Sequence, residues 1–223
     1  MTRSSEPQLH RVRDVFDDWA ARGRAEGMET SHAPFVRQVF DQLALAPDAW
    51  YLDIGCGNGY TVRWAARAVP QGRAVGIDLS AEMIARARGE SKGLSNVEFH
   101  EVAFPNHELP RDRFDVILAM EVFYYLPDLA AGLAETWRLL RPGGRFACMV
   151  DFYAENEISH SWPSDVGVEM TLLDEAGWRA ALERAGFTDV EQRRVRLAPA
   201  EASEPWKATE GSLLTLGRRP QEA

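Results

Sequence analysis

Asp53-Ile-Gly-Cys-Gly-Asn-Gly59 combines a carboxylate with three alternate glycines. Trp50 to Leu52 before it reads as a short buried strand. Val62, Ala65, Ala66 and Val69 after it give a helix an apolar face. Glycine tolerates positive φ and has no side chain to hold a ligand away, so such a turn lays bare main chain beside the amides of a helix start. A dinucleotide turn has the spacing G-x-G-x-x-G and cradles a pyrophosphate. Here the spacing is G-x-G-x-G and the strand ends on an acid, which repels phosphate and suits a cation. A second strand, Arg73 to Ile77, ends on Asp78. A carboxylate there is placed to accept hydrogen bonds from two ribose hydroxyls. Ser80 is a good cap for the next helix, which leaves Asp78 for a ligand.

More reactive chemistry follows the apolar fourth strand, Phe114 to Ala119. Met120-Glu-Val-Phe-Tyr-Tyr-Leu-Pro127 lies beyond its carboxyl end, where open parallel sheets bind ligands. Aromatic faces there attract a cation. If the reaction removes a proton, Glu121, Tyr124, His32 and His160 are the candidate groups. Glu155, Glu157 and His160 match no compact metal-ligand spacing, so no metal is expected.

Four ordered motifs carry a family resemblance: Leu52 to Gly59, Val75 to Ser80, Phe114 to Leu118, and Leu140 to Gly144. Together they resemble class I S-adenosylmethionine (SAM)-dependent methyltransferases, most closely the small-molecule branch of the ubiquinone/menaquinone-biosynthesis type. The resemblance implies an α/β fold: a Rossmann-like, doubly wound, seven-stranded, mostly parallel sheet with an antiparallel last strand and helices on both faces. It implies SAM as cofactor and S-adenosylhomocysteine as product. Asp53, Gly55, Cys56, Gly57, Asp78, Leu79, Met83, Ala103, Phe104 and Met120 would hold the cofactor. Ala103 stands where the family usually carries an adenine-facing acid, so Phe104 would supply the adenine contact. Trp19, Met28 and His32 would line the active site from an N-terminal segment. The implied reaction is methyl transfer to a small-molecule acceptor by in-line displacement. A SAM-binding module without turnover and a nicotinamide-dependent dehydrogenase are the alternatives. A nucleic-acid substrate is disfavoured, because no Asn/Asp-Pro-Pro-aromatic motif follows the fourth strand.

The elements that must position these groups follow from pattern. Leu9, Val12, Phe16 and Trp19 recur at helical spacing; a break is expected at 27–32 and a second helix from Pro34. Residues 1–8 are expected to lack structure. Residues 1–46 read as a helical cap, 47–223 as the SAM-binding domain, and 151–170 as a substrate lid. Arg193, Arg194 and Arg196 read as a solvated strand edge. The 223 residues, 45% hydrophobic, suffice for one compact α/β core. A net charge of −9 argues against non-specific grip on nucleic acid or an anionic membrane. Two cysteines make no disulfide framework, and no leader or membrane span is apparent, so a cytoplasmic protein is expected.

Overall fold

The computed structural model describes residues 6–221. In chain order the elements are α1 (Glu6–Ala21), α2 (Arg24–Phe40), β1 (Trp50–Ile54), α3 (Tyr60–Ala68), β2 (Arg73–Asp78), α4 (Ala81–Glu90), β3 (Val97–Glu101) and β4 (Phe114–Met120). Then come α5 (Leu129–Leu139), β5 (Leu140–Val150), α6 (Trp162–Val166), α7 (Glu175–Arg184), β6 (Thr188–Val195), α8 (Trp206–Thr209) and β7 (Ser212–Arg218). The strands form one sheet in the order β3-β2-β1-β4-β5-β7-β6. Pairings among β1 to β5 are parallel, and β7 runs antiparallel to both β5 and β6. This is the Rossmann-like, doubly wound sheet that the motifs imply.

Strand residues alternate between two cores, one on each face. Leu52 and Ile54 join Phe114, Ile117 and Phe146 on one side. Tyr51 joins Val62, Ala65 and Leu118 on the other. Both faces are covered, which is why the strands read as continuous apolar runs rather than alternating ones. Strand order reverses between β1 and β4, and this switch point opens a crevice at their carboxyl ends.

The N-terminal reading needs correction. Residues 6–8, expected to lack structure, form the first turn of α1; residues 1–5 of that expectation lie outside the described residues. The buried Gln8 amide donates to the carbonyls of Tyr125 and Glu169, which ties this turn to the core. The break falls at Gly23 (φ 74°), and α2 runs unbroken through 27–32. Pro34 lies inside α2 rather than at its start. Proline there removes a helical hydrogen bond. Burial of Phe35, Val36, Val39 and Phe40 along the same helix compensates.

Other boundaries shift too. β5 begins at Leu140, so Arg141-Pro-Gly-Gly144, whose proline and glycines read from sequence as a helix stop before a strand at Arg145, is the irregular start of that strand. The short α8 has no counterpart in the sequence reading. Residues 151–170 contain α6 and a 3-10 turn at Glu157–Ser161, with Phe152 and Tyr153 fully packed. Arg194 is not a solvated edge charge: it pairs with Glu175 and Glu210 and lies over the Tyr153 ring. No helix among the described residues is long and apolar enough to cross a membrane.

Phe146 sits fully buried between the rings of Phe123 and Phe187, at 5.1 and 5.7 Å. Phe146→Ala is expected to cost about 3–5 kcal/mol. Urea unfolding followed by circular dichroism measures this.

Candidate active site

The glycine turn joins β1 to α3. The amides of Gly55 and Cys56 both donate to the Ile77 carbonyl, at 2.8 and 3.0 Å, which holds the turn against the end of β2. Gly55 has φ 74°, and a Cβ there would lie 2.2 Å from Val122 Cγ2. Gly57 has φ 52°, and a Cβ there would meet nothing within 4 Å. The first glycine therefore makes room for protein, and the second leaves main chain facing open space.

Two acids flank this turn. Asp78 ends β2 and accepts the Gly57 amide on Oδ2 and the Ser80 amide on Oδ1, each at 2.9 Å. Ser80 caps α4 by accepting the Met83 amide, as expected. Asp78 is thus already engaged by two amides, although each oxygen keeps a second lone pair. Asp53 is buried on β1 and accepts the Thr61 hydroxyl from α3. Burial pushes the Asp53 carboxyl up to about 7. Burial also raises Asp78, against the pull of its two amides.

These groups open on a cavity of about 390 Å³. All ten residues expected to hold the cofactor line it: Asp53, Gly55, Cys56, Gly57, Asp78, Leu79, Met83, Ala103, Phe104 and Met120. Trp19, Met28 and His32 line it as well, carried by α1 and α2. Phe104 also packs in the core, with one ring face stacked on His107 at 5.7 Å. Of the four candidate proton-transfer groups, Glu121, Tyr124 and His32 line the cavity. His160 does not; it is exposed and its ring nitrogen lies 3.0 Å from the Ala154 carbonyl. Glu155 instead accepts the Glu175 amide at the start of α7.

Beyond the glycine turn the cavity is walled by Tyr124, Tyr125, Trp162 and Trp206. Glu121 follows β4 with φ 62°, a strained conformation for a residue with a side chain. It accepts the Tyr124 hydroxyl at 2.7 Å and the Asp151 amide. Burial raises Glu121 well above the usual carboxylate range, and the neighbouring Asp151 adds to this. Asp151, directly after β5, is pushed up to about 6 by burial. His32 is lowered to about 4, by burial first and then by the Lys207 charge, so it is neutral at neutral pH. Sequence reasoning missed Asp151, Thr61 and Trp206. Asp151 sits at a strand end, the same signal that marks Asp53 and Asp78.

The acidic and basic side chains along the wall are of one kind. Among the described residues the lining includes Glu29, Asp53, Asp78, Glu121, Asp151 and Glu204, and no lysine or arginine. A crevice lined this way suits a positively charged ligand. The donor set fits SAM: Asp78 for the ribose, bare main chain at Gly57, and acids for the ligand's cationic centres.

Comparisons with known proteins agree. The family described as "Methyltransferase domain" matches residues 52–146. A solved chain from a complex of the Haloferax volcanii Trm112 methyltransferase activator with its methyltransferase candidate is 32% identical. It superposes with a TM-score of 0.83, over 92% of this chain and 98% of that one. Nocamycin O-methyltransferase of Saccharothrix syringae is 36% identical over 59% of this chain and 48% of its own length. Arsenite methyltransferase of Halobacterium salinarum is 30% identical over 72% of this chain and 41% of its own. The chain thus spans less than half the length of these curated relatives. It belongs to the class I SAM-dependent methyltransferases, whose cofactor is SAM.

Two outcomes follow from this geometry. Gly57→Ala puts a methyl into space that the protein leaves open, so it is expected to weaken SAM binding at least about tenfold by calorimetry, with the circular dichroism spectrum unchanged. Asp53 has a folded pKa above its unfolded one, so its contribution to stability is lost as pH rises from about 4 to about 7. A cationic ligand favours the ionised form. SAM affinity is therefore expected to rise between about pH 6 and about pH 8, and Asp53→Asn to flatten that rise.

Proposed function

We propose that this protein transfers a methyl group from SAM to a small-molecule acceptor. The observation that carries this reading is the cavity's lining: among the described residues six acidic side chains and no lysine or arginine, around a glycine turn that leaves Gly57 bare. The same observation counts against a nicotinamide dinucleotide, whose pyrophosphate would find acids and no basic side chain among the described lining residues.

When bound, SAM supplies a methyl group already activated by the sulfonium charge. The chain's own part is then to bind, align and keep water out. Asp78 and the main chain at Gly57 hold the nucleoside, and Leu79, Met83, Ala103 and Phe104 enclose its base. Asp53 attracts the α-ammonium group of the amino-acid portion. Met120 and the aromatic wall bring the acceptor in line. Tyr124 is a positioning residue, since it holds the Glu121 carboxyl through its hydroxyl. His32 lines the same end of the cavity with its ring neutral at neutral pH.

Residues 1–46 act in this reading as a cap. Asp17 of α1 accepts the Ser80 hydroxyl, Glu26 of α2 pairs with Arg86, and Ser31 accepts from Lys207. Residues 151–170 form the acceptor-side wall through Trp162, Val166 and Met170. A protein partner is a second reading, favoured by the relative solved with its activator and matched over nearly its whole length.

Asp78→Ala is expected to reduce SAM affinity at least about tenfold by calorimetry. Equal affinity in both proteins would remove the ribose assignment. Incubation with methyl-labelled SAM and a panel of phenols, quinols and amines tests turnover. SAM binding without labelled product from any acceptor class would favour the partner reading, and tight NADH binding in its place would overturn both.

A further inference from the structure

Three side chains from separate elements meet at the acceptor end of the cavity. His32 comes from α2, Glu121 from the end of β4 and Asp151 from the end of β5. One ligand-type atom from each lies within 4.8 Å of the others. Donors on opposite sides of a cation at about 2.1 Å are about 4.2 Å apart, so a small inward movement closes the set. Asp151 is 2% exposed, and its Oδ1 has no hydrogen-bond partner. The Ser212 hydroxyl, itself without a partner of hydrogen-bonding geometry, lies close enough to favour the ionised Asp151 carboxylate, so it is the one group a cation would compete with there. A buried carboxylate oxygen without a partner is costly unless something binds it.

The surroundings leave the three free to ligate. Glu121 spends one lone pair on each oxygen, on Tyr124 and on the Asp151 amide, and keeps the others. These two contacts also fix its orientation, as partners of a ligating carboxylate do. Lys207 is the one nearby cation that lowers the Asp151 pKa. Its ammonium is held by Ser31 and Ser203, at 2.6 and 2.9 Å, and makes no ion pair with Asp151 within 4.0 Å. No histidine, cysteine or acid cluster elsewhere among the described residues converges this way.

We propose that His32, Glu121 and Asp151 bind one divalent first-row cation at the acceptor end of the cavity. This departs from the expectation of no metal. One imidazole and two carboxylates suit manganese or zinc. Three protein donors leave positions open, so the cation would recruit an acceptor bearing an anionic or ionisable oxygen. The proposal deepens the reading of the acceptor pocket, but its test needs neither SAM nor turnover, so each can fail alone.

The test is calorimetry of the full chain with Mn²⁺ alone and with Zn²⁺ alone, on wild type, Asp151→Asn and His32→Gln, each checked for folding by circular dichroism. Saturable binding of either cation, one per chain, is expected, weakened at least about tenfold in both variants. His32→Gln lies on a helix face and serves if Asp151→Asn fails to fold. Wild type that binds neither cation below about 1 mM overturns the proposal, as does affinity unchanged in a folded variant.

Discussion

The Asp78 carboxylate is the constraint on which the site depends. It reaches across from the end of β2 to take one amide from the glycine turn and one from the start of α4. Together with the Ile77 carbonyl, that group fixes the turn, the strand and the helix relative to one another. The main chain of Gly57 can then be aimed at a ligand without a side chain of its own. Two charge-assisted bonds to buried amides are stronger than ordinary ones, and they keep a carboxylate in place that burial would otherwise drive toward its neutral form.

Acids stand at or near the ends of four neighbouring strands: Asp53 on β1, Asp78 on β2, Glu121 after β4 and Asp151 after β5. The parallel sheet brings these ends side by side, so acidic groups far apart in sequence line one wall. Each is desolvated and raised in pKa. Such an arrangement is unfavourable for the free protein. It is resolved by positive charge, which gives the cavity its preference for a cationic ligand.

The sheet and the cofactor end were legible because their signals are local. A glycine turn with a flanking acid, a strand ending on Asp78 and an apolar fourth strand each occupy a few consecutive residues. The acceptor end was legible only in part, because it is assembled from afar. His32 is placed there by α2, whose continuity through Gly27 and Pro34 no propensity argument favours. Trp206 arrives on a four-residue helix too short to show periodicity. Asp151 reads as the first residue of a loop until β5 is seen to deliver it beside Glu121. His160 failed as a candidate for the converse reason: its chemistry is suitable, but its position is on the outside.

The aromatic wall has an optical consequence. Three of the seven tryptophans, Trp19, Trp162 and Trp206, border the cavity, and each belongs to a different helix. Indole emission responds to the polarity and charge next to it, so the molecule has built-in reporters on three helices around its own cavity. Trp19 reports from α1, and Trp162 and Trp206, 6.2 Å apart and edge to face, report from α6 and α8 as a coupled pair. Filling one part of the cavity before another would leave separate spectral traces, making the order in which two ligands arrive visible without any label.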